Sequence, residues 1–335
     1  MTVMHVLRRA AAPAAAAGLA VSCLLAAGPP AQAGPATLHL SPAISLGKLG
    51  RDFSYQFTED PGGNVFYFRG SAVYEVKITA SKPNTALRVR GAVLAVAASS
   101  SGLFVDVGRT VTEYKRSNHH RVRSWTLPGQ PGAPTSAGIM VAGSTVWAWT
   151  DWATDESGFQ YASVSRFSTA SPTVHKVSSN NVYPADMAAD STGLYYEAVS
   201  KKGAGYLGHA TAGGVRRRYD ANLDAPLALY GGNVYLLAIN ETSDKTYLNS
   251  FTEPSLGVNF SALESSKYTD VTATILGVMV LGGGKVSLVL TGFDKGQIAQ
   301  SVGIRHGVVL LSGPETGVIT ASGGKTSLVR VFETG

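Results

Sequence analysis

Residues 187–196 read Met-Ala-Ala-Asp-Ser-Thr-Gly-Leu-Tyr-Tyr. A short apolar stretch enters a turn of small residues and leaves as an aromatic strand. Asp190-Ser191-Thr192-Gly193 suits a tight turn, because Asp and Ser side chains bond to nearby backbone and Gly tolerates positive φ. The same hairpin recurs along the chain. Earlier copies are Tyr55 to Phe57 with Asp60-Pro61-Gly62-Gly63 and Val65 to Phe68; Val93 to Ala97 with Ser99 to Gly102 and Leu103 to Val105; and Ile139 to Val141 with Gly143-Ser144 and Val146 to Trp149. Later copies are Leu227 to Leu229 with Gly231-Gly232 and Val234 to Leu237; Val278 to Val280 with Gly282 to Gly284 and Val286 to Leu290; and Val318 to Thr320 with Gly323-Gly324 and Thr326 to Val331.

The second strands of these copies begin at 65, 103, 146, 194, 234, 286 and 326, giving steps of 38, 43, 48, 40, 52 and 40. A period near 40–50 with four strands per unit is the spacing of propeller blades. Unit one supplies further strands at Ser71 to Ile78 and Thr85 to Val89, and unit two at Val111 to Lys115 and His120 to Leu127. The seventh unit stops at Phe332 after two strands, and its missing pair is expected from Thr37 to Leu40 and Ile44 to Leu46, joined through Ser41-Pro42. Such a two-plus-two closure would hide the open edges of the ring.

The copies resemble those of secreted β-propeller repeat proteins. The Gly-His and Trp-Asp pairs of WD repeats are missing, as is the kelch double glycine with its spaced Tyr and Trp. The resemblance therefore implies architecture and little chemistry. The expected fold is an all-β, seven-bladed β-propeller of four-stranded blades, the last blade closed by N-terminal strands, in one domain over 34–335.

The composition agrees. Gly makes up 38 of 335 residues, 15% are charged and 44% are hydrophobic. This suits short strands and tight turns, and argues against long surface helices and coiled coils. The net charge is +6. Residues 1–33 read as a secretory signal: Arg8 and Arg9, an apolar run from Ala10 to Ala27, and an Ala31-Gln32-Ala33 cleavage site. Cleavage would leave 302 residues without Cys, which excludes thiol catalysis and Cys-ligated zinc. The mature protein is expected to be secreted, monomeric and free of a transmembrane segment. Lipid anchoring at Cys23 is an alternative, but Ala20-Val21-Ser22-Cys23 lacks the usual large aliphatic residue.

Motifs of chemistry are sparse. Gly323-Gly324-Lys325-Thr326 ends like a P-loop, yet Ile319 stands where the first Gly is needed. Asp220, Asn222 and Asp224 begin like a calcium loop, but Ala225 and Gly231 occupy the required Gly and Glu places. An EF-hand is excluded, leaving only a weak calcium candidate. His39, His119, His120, His175, His209 and His306 form no metal-binding pair, and no G-x-S-x-G elbow occurs. No cofactor is expected.

Antiparallel blades place the small turns on one face and the longer polar loops on the other. The loop face offers Asp151, Trp152, Asp155 and Glu156, then Lys201 and Lys202, then Glu241 and Asp244, with Asp294-Lys295 in the sixth unit. These are the candidate ligand-binding residues, with Trp152 able to stack on a sugar or flat ring. The outer strands of units one to four carry Arg88 and Arg90; Arg121 and Arg123; His175 and Lys176; and Arg216, Arg217 and Arg218. Lys115, Arg116, His119 and His120 add to the second group. That charge either protects free edges or meets an anionic cell-surface polymer. Nucleic acid is not expected. The leading expectation is an exported module binding a small molecule, glycan or protein. A carbohydrate or cell-wall lyase or hydrolase using Asp151, Asp155, Glu156 or His residues converging on the channel is the alternative, and an envelope-associated structural protein the second.

Overall fold

The computed structural model describes residues 37–49, 57–128, 136–154, 160–182, 187–199, 205–219, 226–240, 245–253, 255–265, 268–274, 277–290, 297–311 and 316–334. Among these residues the chain forms 29 strands and no helix, within one compact unit spanning Thr37–Thr334. The first strands, β1 (Thr37–Leu40) and β2 (Ile44–Gly47), belong to the last blade. Blade 1 is β3 (Phe57–Glu59), β4 (Val65–Arg69), β5 (Ala72–Val76) and β6 (Asn84–Arg88). Blade 2 is β7 (Ala95–Ala98), β8 (Gly102–Val107), β9 (Thr110–Lys115) and β10 (Arg121–Thr126). Blade 3 is β11 (Ser136–Ala142), β12 (Thr145–Thr154), β13 (Gln160–Ser168) and β14 (Val174–Val182). Blade 4 is β15 (Met187–Ala189), β16 (Leu194–Val199), β17 (Gly205–Thr211) and β18 (Gly214–Tyr219). Blade 5 is β19 (Leu227–Tyr230), β20 (Asn233–Asn240), β21 (Lys245–Thr252) and β22 (Gly257–Ser265). Blade 6 is β23 (Tyr268–Thr274), β24 (Gly277–Gly282), β25 (Lys285–Leu290) and β26 (Gln297–Gly303), and blade 7 contains β27 (Gly307–Leu311), β28 (Thr316–Ser322) and β29 (Lys325–Thr334).

Each blade is an antiparallel sheet, and the first strand of each touches the first strand of the next. β27 touches β3, so seven inner strands close a ring. The core lies between blades. Along β4, Phe66 and Phe68 face blade 2 and meet Leu103 and Val105, while Val65 and Tyr67 face blade 7 and meet Ile319 and Leu328. Alternation along the second strand thus serves two junctions at once. Each buried large side chain contributes about 1.5–3 kcal/mol of transfer free energy.

The seventh blade departs from the expected two-plus-two closure. It has three strands of its own, and β1 and β2 both pair with β29 as a single broken outer strand. The break falls at Ser41-Pro42-Ala43, where Pro42 has no N–H for the ladder. Ser41 bridges it: its N–H donates to the Arg330 carbonyl (2.8 Å) and its hydroxyl accepts the Arg330 N–H (2.9 Å).

The slip began one blade earlier. Gly283-Gly284 and Gly323-Gly324 join second to third strands, not first to second. Correctly counted, the second strands begin at 65, 102, 145, 194, 233, 277 and 316, and the outlying step of 52 disappears. Tight turns therefore occur at both ends of the ring, contrary to the one-face expectation. Asp294-Lys295 lie outside the described residues, in the stretch of sequence between the third and fourth strands of blade 6.

Candidate functional site

Within the ring of inner strands lies an axial cavity of about 540 Å3, lined from β3, β11, β15, β19, β23 and β27. Its wall is mostly small and apolar, with Met140, Ala188, Ala228, Val271 and Val308 among its lining. Three carboxylates reach it: Glu59, Asp190 and Asp270. Each holds structure. Glu59 forms an ion pair with Arg330 (3.8 Å), both side chains almost wholly buried, across the seam between blades 7 and 1. Asp270 accepts the Leu310 N–H (2.6 Å), tying blade 6 to the inner strand of blade 7. Asp190 caps its own turn, accepting from the Thr192 N–H (2.7 Å), the Thr192 hydroxyl (2.8 Å) and the Gly193 N–H (3.2 Å). Gly193 is required there, because a Cβ would collide with the Ala210 carbonyl and the His209 ring.

Around Asp190 the side chains of two blades converge. Glu253, first residue of the β21–β22 turn, hydrogen-bonds to Asp190. Burial, then that hydrogen bond and the Asp190 charge, push the Glu253 carboxyl up to about 7. The Glu253 carboxyl therefore keeps its proton well above the usual carboxylate range, since burial and a neighbouring like charge both disfavour its charged form. The Tyr195 hydroxyl lies 2.9 Å from the Thr192 hydroxyl, and burial pushes it up to about 12. The His209 ring stacks on Tyr195 at 4.3 Å, and its Nε2 is 3.3 Å from the Thr192 carbonyl. Burial holds His209 below the usual imidazole value. Beside it opens a second cavity, of about 470 Å3, lined by Thr192, His209, Thr211, Val215 and Arg216.

A different solution joins blades 1 and 2. Asp60 caps the β3–β4 turn, accepting the Gly62 and Asn64 N–H groups (2.9 and 2.8 Å). Arg116, from the β9–β10 turn, binds Asp60 at 2.6 Å and Glu75 at 3.3 Å and lies 4.2 Å over the Phe66 ring. Sequence reasoning counted Arg116 among the exposed edge charges; it is a mostly buried clasp. Between blades 2 and 3 lies Asp106, fully buried on β8, with no hydrogen-bond partner for either oxygen among the described residues. Burial alone pushes it up to about 7.

Of the remaining basic residues, Arg90 lies past the end of β6, Lys115 ends the third strand β9, and His119 and His120 sit in the β9–β10 turn, so these four are off the outer strands where the sequence reading placed them. Arg88 is on β6, Arg121 and Arg123 on β10, His175 and Lys176 on β14, and Arg216 to Arg218 on β18. These are the outermost strands of four successive blades.

Of the predicted ligand-binding set, Asp151 and Trp152 fall near the end of β12, and their side chains lie outside the described residues. Asp155, Glu156, Lys201, Lys202, Glu241 and Asp244 lie outside the described residues, as do Asp220, Asn222 and Asp224. Among the described residues, no cluster of three or more His, Cys, Asp or Glu could hold a metal ion. Sequence reasoning missed the Asp190–Glu253 pair. The available signal was the shared first turn position of Asp60 and Asp190, the only two turns of the repeat that open on Asp.

No family model matches the chain, and no curated protein matches it. Solved structures match in shape. A chain of the mitotic checkpoint complex aligns over 92% of this chain and 96% of its own, with a TM-score of 0.62 and 10% identity. The Neurospora crassa Pan2 WD40 domain aligns over 83% and 89%, with a TM-score of 0.57 and 10% identity. PorZ, a bacterial surface component of the type-IX secretion system of Porphyromonas gingivalis, aligns over 86% of this chain and 39% of its own, with a TM-score of 0.51 and 11% identity. At these identities the likeness shows the fold alone. The chain is a seven-bladed β-propeller.

Proposed function

We propose that the protein is an exported binding module, holding a ligand or protein partner rather than transforming it. The observation that carries this reading is the state of the axial carboxylates. Glu59, Asp190 and Asp270 are each engaged in holding a turn or a neighbouring blade. Glycoside hydrolysis needs two carboxyl groups about 5–5.5 Å or 6.5–9.5 Å apart across the sugar. Glu253 lies beside Asp190, whose carboxylate is already engaged in capping its own turn. Export rests on the Arg8-Arg9 and Ala31-Gln32-Ala33 pattern.

We assign the ligand end to the side where the β12–β13, β16–β17 and β20–β21 hairpins open, with Asp151, Trp152, Asp155, Glu156, Lys201, Lys202, Glu241 and Asp244 as its candidates. The test is a melting screen of the mature chain against glycans, calcium and cell-wall fragments. A ligand specific for the folded state, at a hundred times its Kd, stabilises by about 2.7 kcal/mol. At least one class should raise Tm, and Trp152→Ala with Glu156→Gln should abolish that rise. An unchanged response in the double variant removes the site assignment.

A further inference from the structure

The outer edge of the ring is divided by charge. The outermost strands of blades 1 to 4 read NTALR, RVRSWT, VHKVSSNNV and GVRRRY, with Lys or Arg on every one and no Asp or Glu. Those of blades 5, 6 and 7 read GVNFSALES, QIAQSVG and TLHL with ISLG, with no Lys or Arg and a single Glu. Every outer strand presents an unpaired edge, so protection against edge pairing would call for charge on all seven blades. Bulges do not account for the difference. They interrupt the outer ladder in blades 1, 2 and 3, which carry the charge, and in blades 5 and 6, which lack it.

The basic groups are accessible and oriented. Arg88, Arg121, His175, Lys176, Arg216 and Arg217 are exposed. Arg121 donates to the Ser124 hydroxyl (2.9 Å), and Arg217 lies 5.2 Å over the Tyr206 ring. Seven-fold repetition turns each blade by roughly 50°, so four blades carry the charge around about 150° of a convex rim. A flat membrane could touch only one or two of those blades at once, whereas a flexible chain can follow all four. The exposed large apolar side chains among the described residues are Ile78, Val122, Ile298 and Val308. None is aromatic, so among the described residues the rim offers neither a stacking platform for unpaired bases nor an aromatic membrane anchor.

We propose that this arc is a docking track for a flexible linear polyanion other than nucleic acid, a polymer bearing phosphate or carboxylate groups at regular intervals, wrapped along the outer edge of blades 1 to 4. The proposal rests on the reading of the protein as a binding module and supplies that module's partner. Attraction at such a rim acts over about 8 Å at physiological salt, so spaced charges on four blades act together on one chain but poorly on a small ion. Release of counterions from the polymer makes binding steeply salt-dependent.

The test uses the mature chain with long-chain inorganic polyphosphate and polygalacturonate as separate probes. Phosphatidylserine vesicles and duplex DNA are competing arms. The expected result is binding to one or both polymers that weakens about a hundredfold or more between 50 and 200 mM salt. The rim variant Arg88→Gln, Arg121→Gln, Lys176→Gln and Arg216→Gln should melt like the parent, bind far more weakly, and lose about one unit of salt slope per charge removed. The control Ala299→Glu with Ser301→Glu, on the outer strand of blade 6, should bind as the parent does. Equal binding by parent and rim variant overturns the proposal, and so does preference for vesicles or DNA. A parent that ignores both polymers yet is stabilised by a ligand in the melting screen overturns the track alone. Failure in both experiments overturns the binding-module reading as well.

Discussion

At the junction of blades 1 and 2, Arg116 reaches from the β9–β10 turn to Asp60 in the preceding blade; at the junction of blades 4 and 5, Glu253 reaches from the β21–β22 turn to Asp190. The two sites are the same address in the repeat. Asp60 and Asp190 each cap a first turn. Arg116 and Glu253 each follow a third strand, and their N–H groups bond to Ser101 and Gly232 in the first turns of their own blades. Under them sit Phe66 paired with Glu75, and Tyr195 paired with His209. The first junction joins opposite charges and keeps a cation in place at any biological pH. The second joins like groups, and burial with the Asp190 charge holds the Glu253 carboxyl protonated up to about pH 7. The repeat determines which residues meet, and leaves the chemistry of the meeting free.

Breaking the first clasp should have the largest effect. Arg116→Ala leaves Asp60 and Glu75 facing each other with little solvent, and should lower stability by about 3 kcal/mol, read from the urea midpoint. Asp106 comes next. Its folded pKa of about 7 lies above the ordinary carboxyl value. The folded state therefore loses stability as pH rises toward 7, and the full penalty remains above it. Asp106→Asn should be near neutral at pH 5 and stabilise by about 2 kcal/mol at pH 8.5. A gain that is the same at both pH values would rule out an ionised carboxylate as its source. The smallest effect is at the second clasp. Glu253 is raised in the same sense, so its contribution is greatest in acid and is lost as pH rises through 7. Glu253→Gln keeps a donor toward Asp190 without the charge. Because the site is partly solvated, it should stabilise by only about 1 kcal/mol at pH 8.5 and by nothing at pH 5. A profile as steep as the parent's would mean that Glu253 is not the group whose titration sets the slope.

These clasps also mark how far the sequence could be read. Blades 1 to 5 were legible because the first hairpin of each, such as residues 187–196, is contiguous and carries its own turn chemistry. Blades 6 and 7 slipped by one strand because Gly282 to Gly284 and Gly323-Gly324 look locally like any other hairpin turn. Nothing in a symmetric hairpin says whether it joins first to second strands or second to third. Only the uneven step of 52 recorded the slip. The closure then looked two strands short, when a single outer strand was missing. Asp190 and Glu253 were not legible as a pair. They are 63 positions apart on different blades, and the turn of the ring alone brings them together. Arg116 was misread because its neighbours Lys115 and His120 are exposed, and a local run of charge does not say which member turns inward.

The pairing of Thr37 with Thr334 places the first described strand against the last. On a ribosome, β1 and β2 emerge early and wait while nearly 300 further residues are made. Until β29 arrives the molecule is an open row of sheets, each able to fold on its neighbour, with the seventh blade unformed. The entropic cost of joining such distant ends grows only with the logarithm of their separation, so the wait delays closure more than it weakens it. Synthesis order thus gives the ring a checkpoint: a chain truncated before its final strand cannot close, and only a full-length chain acquires a sealed seam.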